Sequence, residues 1–417
     1  MRILFLNPLG ELGGAELSML DLIASLLAAH RGLQVGMIAG AEGPLVERAR
    51  ELGAEVSVAP LPSKLSLIGD HCASGATVGD HTIAALAAKL SAAIPATAGY
   101  AALLRRRIAA FRPDLIHTNG FKMHVLGVWA APRRVPVVWH IRDYVSRRPM
   151  MSKLMRAHVG GAASAIAISR SVAEDLGRAC NSRLNVTHVY DGIDLERFSP
   201  DGPKADLDSL SAMPPANPET VRVGLVATMA RWKGHEVFLR AMSFLRPSLP
   251  IRAYIIGGPV YSTVGSQTSI DELRHIAHEC GVAGRVGFTG FVADPGSAMR
   301  ALDVVVHAST EAEPLGRVIV EAMACRRPVI ASDAGGASEL INHDVDALAF
   351  RPGDVAMLTK RIRDLASDRA MRARLGAAGH AKARQSFDRA RLASEVVPVY
   401  LAATARRGAV DYVHEQA

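Results

Sequence analysis

Short apolar runs recur along the chain and alternate with segments whose apolar positions fall at helical spacing. Strand-like runs at residues 3–6, 34–39 and 56–58 are separated by helical patterns at 17–27 and 45–52, and further strands are read at 115–118, 137–139, 165–168 and 186–189. Regular alternation of this kind predicts an α/β protein with a parallel, doubly wound sheet. A second set of runs at 221–227, 251–256, 286–289, 304–307 and 329–331 predicts a second unit of the same type. The two are expected to face one interdomain cleft.

Between the two sets, residues 200–220 concentrate proline and small polar residues, as a linker or a surface excursion does. The expected domains are residues 1–200 and 215–386. Leu392, Val396, Val397, Tyr400 and Leu401 then stand at helical spacing, so 387–417 is expected to return to the first domain as a helix. The alanine-rich stretch 84–110 also reads as helix.

Composition narrows the class. A chain of 417 residues exceeds the ~250–300 at which single cores stop growing. With 49% hydrophobic and only 5% aromatic residues, it suits helices packed closely on sheets and not disorder. Cys72, Cys180, Cys280 and Cys325 stand far apart, without a CxxC pair or a His at ligand spacing, so neither a disulfide framework nor a metal site is expected. No run reaches the ~20 apolar residues of a membrane span, and nothing leader-like precedes the first strand. The expected location is the cytoplasm.

Most of the net charge of +8 lies in the first 200 residues. There Arg147, Arg148, Lys153 and Arg156 mix with Met150, Met151, Leu154 and Met155, and Arg105, Arg106 and Arg107 are grouped with them. This mixture predicts a basic face with an apolar edge, able to hold the protein peripherally on an anionic membrane, at the inner face of the cell membrane. Nucleic acid is not an expected partner, because no recognition motif or aromatic stacking platform accompanies the charge.

The strongest chemical signal is Glu313-Pro-Leu-Gly-Arg-Val-Ile-Val-Glu321, read as a turn into a helix that continues to Cys325. A helix start offers free N–H groups and a positive dipole end to a diphosphate. If all eight steps were helical, the glutamates would lie roughly 12 Å apart, too far for the ~5 Å carboxylate pair of a retaining glycosidase. They are expected to hold different parts of one long ligand.

These residues resemble the retaining glycosyltransferases of the GT-B fold, often called glycosyl transferases group 1, and the resemblance covers nearly the whole chain. It implies two Rossmann-like domains and a donor-side glutamate, Glu313, that contacts hydroxyls of the transferred sugar, while Glu321 contacts the ribose. Pro314, Leu315, Gly316, Arg317 and Val318 fall in the same donor-binding turn. Phe291 and Val292, in Phe288-Thr-Gly-Phe-Val292, resemble the nucleobase-side turn, and Asp333-Ala-Gly-Gly-Ala-Ser-Glu339 matches the family's glycine turn, read here as structural. In Ala230-Arg-Trp-Lys-Gly-His-Glu236, Lys233 falls on the lysine that holds the donor diphosphate. The usual arginine position is occupied by Thr228, and Arg231 is the expected substitute.

In the first half, Gly13 and Gly14 of Gly-Gly-Ala-Glu16 match a turn near the donor phosphates or sugar, and His140 matches a histidine near the sugar's reactive carbon. Asn119, Lys122, Arg142 and Asp143 are read as acceptor-side residues at strand ends. Asp191 stands where Asn is commoner, in a segment read as structural. The resemblance implies metal-independent transfer with retention, no cofactor beyond a UDP- or GDP-linked co-substrate, and a glycan or lipid-linked acceptor. Catalysis is assigned to His140, Arg231, Lys233 and Glu313, with domain closure excluding water. A nucleotide-sugar epimerase and an inactive nucleotide-sugar-binding protein are the alternatives on this scaffold. A nicotinamide-dependent oxidoreductase is disfavoured by the missing GxGxxG.

Overall fold

The computed structural model describes residues 1–66, 80–259 and 267–414. Cys72 lies outside them. The chain divides into two compact units, Met1–Gly192 with Arg389–Ala417, and Ile193–Asp388.

Among the described residues the first unit is built on seven strands: β1 (Arg2–Asn7), β2 (Gln34–Ala39), β3 (Glu55–Val58), β4 (Leu115–Asn119), β5 (Val137–Ile141), β6 (Ser164–Ala167) and β7 (Val186–His188). All pair in parallel, in the order β3-β2-β1-β4-β5-β6-β7. The central strands are apolar runs without alternation because helices cover both faces. Met19, Leu22, Ile23 and Leu26 of the helix Gly14–Ala29 pack against Ile3, Phe5 and Met37. The same core takes in Leu392, Val396 and Tyr400 of the helix Leu392–His414, as their spacing requires. Leu401, grouped with them by sequence, points outward and is 56% exposed. The alanine-rich segment forms the helix Asp80–Phe111.

The second unit carries β8 (Val221–Val226), β9 (Ile251–Ile256), β10 (Val286–Gly290), β11 (Val304–His307), β12 (Val329–Ser332) and β13 (Leu348–Phe350). These are again all parallel, in the order β10-β9-β8-β11-β12-β13. The edge strand β13 was not read from the sequence, since three residues are too few to show a pattern.

Residues 200–220 are not a free linker. Asp208, from the short helix Leu207–Leu210, is buried and salt-bridges Arg222 of β8 at 3.0 Å and Arg252 of β9 at 2.6 Å. The segment is therefore part of the second unit, and the chain crosses between units at Gly192 and Asp388.

Both sheets reverse winding direction beside their first strand, between β1 and β4 and between β8 and β11. In open α/β sheets ligands bind outside the carboxyl ends of strands at this switch point. Asn7, Asn119 and His140 stand there in the first unit, and His307 in the second.

Candidate functional site

In the second unit the loop after β8 makes a single 3-10 turn, Arg231–Lys233, that ends at Gly234 with φ +75°. A Cβ there would lie 1.9 Å from the Ala308 carbonyl oxygen, so only glycine lets this turn seat against the end of β11. Thr310 N–H donates to the Trp232 carbonyl at 2.8 Å and ties the same two loops together. Lys233 is thereby carried over the end of β11. Its Nζ donates to both carboxylate oxygens of Glu313 at 2.9 Å and lies 4.0 Å from the Trp232 ring centroid.

Glu313 is buried and held on three further sides. Ser309 Oγ donates to its Oε2 at 2.7 Å, and His307 Nε2 lies 3.2 Å from the same oxygen. Burial alone would raise its pKa, but the Lys233 charge, His307 and Ser309 outweigh it and hold the carboxyl well below the usual range. The backbone of Glu313 is fixed by the glycine turn after β12. Gly336 N–H donates to the Glu313 carbonyl at 2.7 Å, and a Cβ on Gly336 would sit 2.0 Å from the Pro314 carbonyl oxygen.

The helix does not begin at Glu313. It runs Arg317–Ala324, after Gly316 at φ +91°, so Pro314, Leu315 and Gly316 form the buried turn ahead of it. The separation estimated for eight helical steps therefore does not apply. Arg317 and Glu321 stand one turn apart and pair at 2.6 Å, both mostly buried. Val318, at the second helical position, is partly exposed. Arg231 Nη2 bonds Glu272 at 2.9 Å, and the side chain is half exposed. Phe291 is 64% exposed, with its ring against Gly258, and Val292 beside it is half-buried.

The first unit holds a separate polar cluster. Arg142 is its hub, donating to Asn119 Oδ1 at 2.8 Å and to Asp191 Oδ1 at 2.7 Å, with Nη2 3.3 Å from His140 Nδ1. Asn119 Nδ2 donates to Asn7 Oδ1 at 2.6 Å, and Ser18 Oγ donates to Asp191 Oδ2 at 2.8 Å. His140 Nδ1 lies 3.1 Å from His117 Nε2, whose other nitrogen meets the Tyr400 hydroxyl at 2.7 Å. Burial, with the Arg142 charge behind it, pushes the pKa of both histidines well below the ordinary value, so both rings are neutral.

Gly13 caps the helix Gly14–Ala29, and its N–H donates to Glu16 Oε2 at 3.1 Å. Burial raises the Glu16 pKa. Gly14 is exposed, with open space where a Cβ would stand. Asp143 accepts from Arg148 at 3.2 Å, outside the Arg142 cluster, and Lys122 is partly exposed at the start of the helix Phe121–Ala130.

The structure thus joins Lys233 with Glu313, Arg317 with Glu321, and Asn119 with Arg142 and His140. It adds His307 and Ser309 beside Glu313, and His117, Asp191, Asn7 and Tyr400 around Arg142. Asp191, read as structural from sequence, is the counter-ion of that hub. A histidine near the end of a central strand recurs: His307 closes β11, His140 stands one residue before the end of β5, and His117 two before the end of β4. That recurrence was the available signal for the missed pair. Met151 and Met155 face the core, which leaves Leu154 exposed among Lys153 and Arg156 and corrects the expected apolar edge. Among the described residues, no helix is long and apolar enough to cross a membrane.

Comparison with known proteins places these clusters in context. A family model described as glycosyl transferases group 1 matches residues 211–382, and one described as glycosyltransferase family 4 matches residues 12–197. The chain is 30% identical to D-inositol 3-phosphate glycosyltransferase of Xylanimonas cellulosilytica, over 72% of its own length and 70% of that protein. It is likewise 30% identical to the lipopolysaccharide core biosynthesis mannosyltransferase LpcC of Rhizobium leguminosarum, over 66% of its own length and 81% of that protein. Among solved structures, Anabaena Alr3699/HepE in complex with UDP-glucose matches with a TM-score of 0.73 at 26% identity, covering 96% of this chain and 99% of the other.

Proposed function

The chain belongs to the glycosyl transferases group 1 family, and from that membership we propose that it moves a sugar from a nucleotide-sugar donor to a hydroxyl of a glycan or lipid-linked acceptor, with retention and without a metal ion. The observation that carries this reading is the Lys233–Glu313 pair at the switch point of the second sheet, with His307 and Ser309 beside it. A cation and an ionised carboxylate held side by side suit a ligand that is anionic at one end and hydroxylated at the other.

In this reading Lys233 meets the donor diphosphate, with Arg231 and the start of the helix Arg317–Ala324 supplying further positive potential. Glu313 accepts from hydroxyls of the transferred sugar. Glu321, oriented by Arg317, takes the ribose. The acceptor oxygen forms a bond to the anomeric carbon on the face from which the diphosphate departs, and its proton passes to the departing phosphate oxygen. Lys233 and Arg231 offset the charge that develops there, the role a metal ion fills in other transferases.

Thermal stabilisation by a panel of UDP-, GDP- and ADP-sugars in the presence of EDTA tests the donor site. A selective shift that disappears in Lys233→Ala and Glu321→Ala supports the reading, and no shift with any nucleotide sugar overturns it. NMR of the product's anomeric centre tests retention, and an inverted product rules out same-face displacement.

The exposed Arg106, Arg107, Lys153 and Arg156 support a second element of the reading, attachment to an anionic membrane surface where a lipid-linked acceptor would lie. With Met151 and Met155 buried, charge must carry most of that attraction. Sedimentation with vesicles tests it: binding independent of anionic lipid content removes this element.

A further inference from the structure

His140 Nε2 is buried and has no hydrogen-bond partner, although the other nitrogen of the ring is engaged twice. Whether that free nitrogen is a donor or an acceptor depends on which tautomer the ring adopts, and its surroundings decide this. Arg142 has only N–H groups to offer, so His140 Nδ1, 3.3 Å from its Nη2, must be the unprotonated nitrogen. His117 Nε2, 3.1 Å from the same lone pair, must then carry a proton and donate. A neutral His117 protonated at Nε2 has an unprotonated Nδ1, which faces the Tyr400 hydroxyl at 2.7 Å and accepts from it. The reverse polarity would set the N–H of His140 against the N–H of Arg142. Asp191 balances the Arg142 charge at 2.7 Å and keeps the guanidinium in place. Burial holds the Tyr400 phenol well above its ordinary pKa, so its proton is retained.

We propose that Tyr400, by donating to His117 Nδ1, is a positioning residue that together with Arg142 holds His140 in the Nε2–H tautomer, so that this nitrogen presents a hydrogen-bond donor to an acceptor oxygen of the donor substrate. The relay passes from the C-terminal helix through β4 to β5, all within the first unit. It gives the returning helix a function beyond packing. The substrate end of the inference rests on the transferase reading, whereas the tautomer belongs to the free protein.

The test is nitrogen NMR of the full-length chain labelled with 15N-histidine, without ligand at neutral pH. The expected result is a protonated Nε2 and an unprotonated Nδ1 on both His140 and His117. In Tyr400→Phe the His117 ring should show mixed tautomers while Arg142 still keeps His140 Nδ1 unprotonated, and kcat for the stabilising nucleotide sugar should fall by up to about tenfold, the scale of one lost hydrogen bond, as His140 loses its fixed partner. His140→Gln, whose amide nitrogen takes the place of Nε2, should retain more activity than His140→Asn. A proton on His140 Nδ1 in the unmodified protein, or a Tyr400→Phe variant with an unchanged His117 tautomer, overturns the proposal. The expected tautomers in a chain that binds no nucleotide sugar would instead sink the transferase reading and leave the relay standing.

Discussion

Lys233 Nζ lies 2.9 Å from each carboxylate oxygen of Glu313, a contact made across 80 residues of chain. Glu313 is almost fully buried, so its charge persists only because Lys233, His307 and Ser309 stabilise it. Removing the cation alone leaves that charge uncompensated. Lys233→Ala is therefore expected to lower the unfolding free energy by about 3 kcal/mol, and Lys233→Ala combined with Glu313→Gln by less than the sum of the single changes. Urea unfolding of the four proteins measures this, and additive effects would mean that the pair is not coupled.

Acid should weaken the first unit more steeply than the second. His117, His140 and His124 have folded pKa values below the ordinary 6.5, that of His124 falling to about 3, in each case with burial as the largest cause. Depressed values mean that the unfolded chain binds protons first, so stability is complete above about pH 6.5 and declines as pH falls, by up to about 1.4 kcal/mol per pH unit for each ring. Glu313 is also depressed, so its contribution is retained until pH drops below about 4.3 and is lost beneath that. His235 of the second unit is also lowered, by burial, to about 4, so unfolding followed between pH 7 and 4 should show both units weakening, the first more steeply because it holds three such rings. A flat profile across that range would contradict the buried neutral assignment.

Two glycines of the matched motifs should respond oppositely to alanine. At Gly234 the backbone has φ +75° and a Cβ would overlap the Ala308 carbonyl, so Gly234→Ala is expected to destabilise by more than about 2 kcal/mol and to abolish nucleotide-sugar stabilisation. Gly14 opens a helix with empty space at its Cβ position, and Gly14→Ala is expected to leave stability equal or slightly higher. Melting temperatures with and without nucleotide sugar test both. Loss of ligand response in an intact Gly14→Ala protein would show that the ligand needs that space.

Arg142 and Asp191 make the corresponding comparison in the first unit. Both side chains are under one-tenth exposed. Arg142→Met leaves Asp191 charged, buried and supported mainly by Ser18, with an expected loss of about 3 kcal/mol. Asp191→Asn keeps a carbonyl oxygen for Arg142 and should lose less, about 1 kcal/mol. Denaturant midpoints that rank the two variants the other way would show that the guanidinium is not held chiefly by Asp191.

Much of the fold was legible because it depends on local pattern. Continuous apolar strands separated by amphipathic helices specify parallel sheets wherever they occur, and the helical spacing of Leu392, Val396 and Tyr400 marked the returning helix. The 200–220 segment could be a linker or a surface excursion by sequence, because proline and small polar residues describe a loop's conformation and not its attachment. Asp208 could be known to anchor it only once Arg222 and Arg252 stood beside each other on adjacent strands. β13 escaped notice because its strand character comes from pairing with β12.

The sequence by itself determined which residue types stand at the strand ends: Lys233 followed by a glycine, the glutamates of the 313–321 motif, and His140 near the end of its strand. Those are properties of spacing, and spacing survives in a linear string. Tertiary structure alone decided which of them meet. It joined Lys233 to Glu313 and not to solvent, turned Arg231 toward Glu272, buried Met151 and Met155, and brought Tyr400 to His117 from 283 residues away. Hydrogen bonds and buried charges act over a few ångströms in space, and only the packed sheets convert positions far apart in the chain into neighbours at that range.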